Sequence, residues 1–200
     1  MKARTAFYLL LLVSSSSYGW DRTTDTDMVT NVKTLTTFGY DHYRNNSLGV
    51  RCDVKGSRQE IMVTFLAEKP IDVPQSEVDF FVKVDNNELI SFTARLFSNS
   101  YSSGYVSSAG SDKSDINKLI KQMRKGNTAH VRVQNTRRSE IINYNVDLNG
   151  FTNWSKETLG ACGFGKQKIE MSAEDKNRLR RINEEIESLS AEKKSILSKY

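Results

Sequence analysis

Apolar and polar residues alternate with a period of two through much of residues 48 to 148, the pattern of strands with one buried and one solvated face. Residues 48 to 54 form the first such run. A turn at Lys55-Gly56-Ser57 leads into residues 60 to 66, where Ile61, Val63 and Phe65 share a face, and Pro70 and Pro74 bracket a break. Val78, Phe80, Val82 and Val84 then alternate with Asp79, Phe81, Lys83 and Asp85. Asn86-Asn87 turns the chain into residues 88 to 97, with Ile90, Phe92, Ala94 and Leu96 pointing inward. Further on, Ala129, Val131 and Val133 oppose His130, Arg132 and Gln134. After a polar turn, Ile142, Tyr144, Val146 and Leu148 oppose Asn143, Asn145 and Asp147.

The period changes to that of a helix at Ile116, Leu119, Ile120 and Met123, with Ser114 as the predicted cap and Gly126 as the stop. A second short helix is predicted from a cap at Thr152, carrying Trp154 and Leu159 and reaching Cys162. Residues 98 to 111 are almost all Ser, Gly, Tyr and Asn, which predicts a flexible connection or a weak edge strand. Tyr101 and Tyr105 make it a candidate binding loop, since tyrosine offers amphipathic contact area at low entropic cost. Residues 20 to 47, rich in Thr, Asp and Asn, read as an irregular lead-in with room for one short helix.

Past Gly163-Phe164-Gly165, residues 165 to 171 read as a hinge. Ser172 then caps a charged helix, with Glu174 and Asp175 favourably placed in its first turn. Leu179, Ile182, Ile186, Leu189, Lys193, Ile196 and Tyr200 recur at alternating spacings of three and four, a coiled-coil seam of about three heptads. Isolated helices of this length are marginal in water, so the stripe predicts a cover: a second copy, another protein, or its own domain. The fold class is therefore mainly β (α+β): a small disulfide-closed antiparallel β domain with two short helices, then a long C-terminal helix. Its predicted parts are a signal peptide (1 to 19), the lead-in (20 to 47), the β-rich domain (48 to 164), the hinge (165 to 171) and a coiled-coil-like helix (172 to 200).

The ends and the charge set the compartment. Lys2 and Arg4, the apolar residues 6 to 13, and Ser17-Tyr18-Gly19 have the order of a secretory signal, whose cleavage would leave Trp20 first. The apolar run is about half the length a membrane-spanning helix needs, although an uncleaved anchor stays open as the other reading. A periplasmic or secreted protein with no stable membrane span after cleavage is predicted. Without the leader the formal charge falls from +5 to +3, with bases and acids interspersed, which argues against a nucleic-acid partner. Cys52 and Cys162, the two cysteines, read as one disulfide in an oxidising compartment; two buried free thiols are the alternative.

Catalytic patterns are sparse. His42 and His130 lack ligand spacing to each other or to a cysteine, and no nucleophile elbow, phosphate loop or dinucleotide fingerprint occurs. Asp79, Asp85 and Asp147 could supply a carboxylate pair of the glycosidase kind only by meeting in space; solvated strand faces are the plainer reading. No catalytic residue, metal or cofactor is predicted.

Four segments together resemble the periplasmic accessory proteins of type VI secretion, the TagO or VasI family. They are Val50-Arg51-Cys52, Val82-Lys83-Val84-Asp85, the helix ending at Gly126 before His130-Val131-Arg132-Val133, and Tyr144-Asn145-Val146-Asp147-Leu148-Asn149-Gly150-Phe151 followed by Leu159-Gly160-Ala161-Cys162. They run in family order over somewhat more than half the chain. Gly39-Tyr40-Asp41 lacks the cysteine that the family commonly carries upstream, and the C-terminal helix is an addition. The resemblance implies a periplasmic β domain serving a secretion apparatus, and it carries over no catalytic residue.

The expectation is a non-enzymatic exported envelope protein that binds a protein partner, as an accessory of a secretion system or of a phage- or plasmid-encoded envelope system. Leu179, Ile182, Ile186, Leu189 and Ile196 would form its assembly face, with a homo-oligomer as one outcome. The alternative is a periplasmic inhibitor, immunity or superinfection-exclusion protein that blocks a hydrolase, toxin or incoming phage through residues 101 to 108.

Overall fold

In the computed structural model residues 19 to 165 and 172 to 199 are described, and the chain divides into one unit up to Gly165 and a second from Lys166. The predicted leader, apart from Gly19, the hinge beyond Gly165, and Tyr200 lie outside the described residues.

Along the first unit run β1 (Trp20–Thr26), β2 (Lys33–Tyr40), β3 (Ser47–Lys55), β4 (Arg58–Leu66), β5 (Glu77–Val84), β6 (Ile90–Leu96) and β7 (Ser103–Ser107). Then follow α1 (Lys113–Met123), β8 (Thr128–Asn135), β9 (Ile141–Asp147), α2 (Phe151–Trp154) and α3 (Lys156–Ala161). All strands pair antiparallel in one sheet, in the order β1-β2-β3-β4-β7-β6-β5-β8-β9. Because β5, β6, β9 and most of β8 bury alternate residues, the register aligns the apolar ones in rows across the sheet. One row runs Phe92, Phe80, Val133 and Ile142; the next runs Ile90, Val82, Val131 and Tyr144. Phe80 stands with its ring centroid 5.0 Å from Phe65 and 5.9 Å from Phe92. Ile116, Leu119, Ile120 and Met123 of α1 are buried in the same core.

The sheet curls into a half-barrel whose last strand approaches the first three. The Trp20 indole N–H donates to the Asp147 carbonyl at 3.0 Å, and the Tyr144 hydroxyl donates to the Ser47 carbonyl at 2.7 Å. Phe151 of α2 packs its ring 4.7 Å from that of Trp20. Cys162, just past α3, is bonded to Cys52 of β3, with Cα atoms 5.8 Å apart and a separation of 110 residues. In the chain-entropy account, closing a loop of that size stabilises by roughly 4 to 5 kcal/mol, comparable with a small domain's net stability.

Several expectations need correction. The lead-in is not irregular: residues 20 to 47 contain β1 and β2, so Cys52 lies on the third strand and not the first. Alternation is disguised in β2 because its inward positions include Thr37, which bonds the Thr158 hydroxyl at 2.7 Å, and Gly39, which lies under the Trp20 ring. β7 is neither loop nor edge, since it pairs with β4 on one side and β6 on the other. Its inward residue Gly104 is demanded by crowding: a Cβ there would stand 2.6 Å from the Arg95 carbonyl oxygen and 2.7 Å from Phe65. α1 starts after Asp112 and not at Ser114. The predicted second helix is two, α2 and α3, meeting at Ser155, and α2 follows Gly150 (φ 89°), not a Thr152 cap.

The second unit contains α4 (Ala173–Leu197). Ser172 caps it as predicted, its hydroxyl accepting from the Asp175 N–H at 3.0 Å. Within this helix Leu179, Ile182, Ile186, Leu189 and Ile196 lie along one face, and none is buried.

Candidate functional site

The inward residues of β5, β8 and β9 are fixed by the core, and the pleat therefore brings their alternate residues together on the outer face. Three cross-strand rows result. Lys83 is opposite His130, which is opposite Asn145; Phe81 is opposite Arg132, which is opposite Asn143; Asp79 is opposite Gln134, which is opposite Ile141. Together with Leu89 and Arg138, from the turns beside them, most of these side chains line a shallow groove of about 750 Å³.

Hydrogen bonds hold the polar groups in place. Arg132 donates from Nε to the Asn143 side-chain oxygen at 2.7 Å, and His130 Nδ1 lies 2.8 Å from the Asn145 oxygen. Gln134, only 6 % exposed, donates its amide to Asp79 at 3.0 Å. The lining includes Lys83, Arg132 and Arg138 but no carboxylate. The three groove cations form no ion pair among the described residues, a condition they share with other surface cations of this unit such as Lys33, Arg58 and Lys121. The groove is a positively charged surface rich in hydrogen-bond donors and fixed to rigid strands.

The carboxylates singled out for acid–base work are spent on structure. Asp85 accepts the Asn127 and Thr128 backbone N–H groups at 3.0 and 2.9 Å, and these bonds hold its carboxyl below the usual range. Asp147 accepts the Asn149 N–H at 2.8 Å, and Asp79 takes the Gln134 amide. Asp85 and Asp147 sit on opposite sides of Thr128, while Asp79 lies toward the far end of β5. Among the described residues no three His, Cys, Asp or Glu side chains gather as metal ligands would.

The structure separates the two candidate loop tyrosines. Tyr101 is exposed just before β7, and its carbonyl accepts the Ile71 N–H at 2.7 Å. Tyr105 lies within β7 and stacks on Phe97 at 4.9 Å. Phe97 in turn borders a smaller depression shared with Phe38 and Tyr40. His130 lacks ligand spacing in the sequence, and its alignment with Lys83 emerges only with the pairing of β5 and β8. The only cue in the sequence was the repeated placing of cations and amides at outward positions.

The first unit thus belongs to the class of disulfide-closed antiparallel β half-barrels with a charged groove on the convex face. No family model, curated protein or solved structure matches the chain. Among the described residues no helix is long and apolar enough to cross a membrane. The Cys52–Cys162 bond is consistent with an exported protein.

Proposed function

We propose that this chain is a non-enzymatic, exported binding protein of the cell envelope, acting as an accessory to a larger assembly. The observation that carries this reading is the β5–β8–β9 groove, where Arg132, His130 and the side-chain amides of Gln134, Asn143 and Asn145 are pre-set on rigid strands by cross-strand hydrogen bonds. Preorganised donors of this kind favour recognition, because little side-chain freedom remains to be lost on binding. The disulfide supports the compartment, since such bonds persist where thiols are oxidised.

The resemblance to the TagO or VasI proteins of type VI secretion points the same way. Its segments fall on β3 with Cys52, on the groove strands β5, β8 and β9, and on α3 leading to Cys162. In this reading α4 adds attachment or valency through Leu179, Ile182, Ile186, Leu189 and Ile196. The inhibitor alternative relied on a protruding tyrosine loop, and it is the weaker one because Tyr105 is held in a central strand.

The test is mild crosslinking of the mature protein in its native envelope, followed by affinity capture and mass spectrometry, with and without residues 166 to 200. Recovery of components of an envelope assembly is expected. An Ile186→Asp variant should lose assembly while the β unit keeps its melting behaviour. Recovery of a single hydrolase or toxin, inhibited at stoichiometric ratio by the tail-less unit, would overturn the accessory reading.

A further inference from the structure

The geometry points to the β5–β8–β9 groove as a site for an extended acidic peptide, a segment of a partner protein with carboxylates at every second residue. This rests on the binding-protein reading above and names the chemistry of the ligand.

Charge is the first argument. Lys83, Arg132 and Arg138 line a groove with no acid among its lining residues. The acids at its borders, Asp79 and Asp85, already accept from Gln134 and from the Asn127 and Thr128 backbone. Carboxylates brought by an occupant would therefore find three cations without ion-pair partners among the described residues. Donor direction is the second. The side-chain oxygens of Asn143 and Asn145 are engaged by Arg132 and His130, and the Arg132 terminal nitrogens have no partner among the described residues. What the groove presents is therefore mostly N–H, suited to carboxylate and carbonyl acceptors.

Spacing selects the peptide. His130 and Arg132 are two residues apart on β8, roughly 7 Å along the strand, and Lys83 stands across from His130. Alternate side chains of an extended peptide recur at the same interval, so carboxylates at i and i+2 would meet Lys83 and then Arg132. Arg138, in the turn beyond Gln134, continues the positive track. Phe81, Leu89 and Ile141 provide apolar contact for the residues between. A run of nucleic-acid bases would want several stacking rings, and Phe81 together with the His130 imidazole is little to stack on.

The experiment is fluorescence anisotropy of the full mature chain with a labelled peptide alternating glutamate and valine. Binding that weakens with added salt is expected. Combined Lys83→Gln and Arg132→Gln should weaken it about tenfold or more, with unchanged melting, as expected for charge-assisted hydrogen bonds. Lys121→Gln, outside the groove, should change nothing. No binding of the alternating peptide would overturn the proposal, as would equally tight binding of a peptide with its glutamates in one block, or of hyaluronate.

The same double variant belongs in the envelope capture. If wild type and variant recover the same partner equally, the groove assignment fails and the binding-protein reading stands. If neither recovers a partner, the underlying reading fails.

Discussion

Phe80 and Phe81 are neighbours on β5, yet they belong to two different surfaces. Phe80 is fully buried between Phe65 and Phe92, whereas Phe81 is half-buried on the floor of the groove beside Arg132. The same contrast runs through β8 and β9, where Val131, Val133 and Tyr144 face the core and His130, Arg132 and Asn143 face outward. One face answers to packing, and its residues are interchangeable only at the cost of stability. The other is released from that duty and is free to carry recognition.

The sharpest way to break this contrast is to truncate both rings. Phe80→Ala should destabilise the β unit by about 3 to 5 kcal/mol in chemical denaturation, the usual cost of emptying an aromatic core site. Phe81→Ala should cost far less and should instead weaken binding of the acidic peptide. Equal losses of stability would mean that the two faces are not distinct.

Tyr144 tests the inner face through pH. Burial, reinforced by the negative charge of Asp41, pushes its phenol well above the ordinary value of 10.0. The unfolded chain ionises first, so this contribution is intact below pH 10 and is lost as pH rises from there toward the folded value. Tyr144→Phe should remove that part of the alkaline decline. At neutral pH it should cost about 1 to 2 kcal/mol, because the Ser47 carbonyl loses its donor. A variant with the same alkaline slope as wild type would contradict the assignment.

The smallest expected effect is on the outer face. Lys83→Gln with Arg132→Gln should shift stability by no more than about 0.5 kcal/mol, as surface changes without ion pairs do. A large loss would make these side chains structural.

The inner face was legible wherever an inward position was apolar, and this is why β5, β6, β8, β9 and the α1 stripe follow the alternation closely. It failed where inward positions were filled otherwise. Thr37 and Gly39 broke the pattern in β2, Gly104 broke it in β7, and β1 is exposed beyond Trp20. The groove was half legible. Its outward residues on β8 and β9 could be read strand by strand, but nothing local places Lys83 beside His130, because that neighbourhood is created by strand order.

The most direct test of the groove as the recognition surface is hydrogen exchange of the full mature chain with and without the alternating glutamate–valine peptide. Slowed exchange should concentrate in residues 130 to 134 and 143 to 145. Protection confined to the surroundings of Tyr101, or to the depression edged by Phe38 and Phe97, would contradict it and move recognition to another part of the sheet.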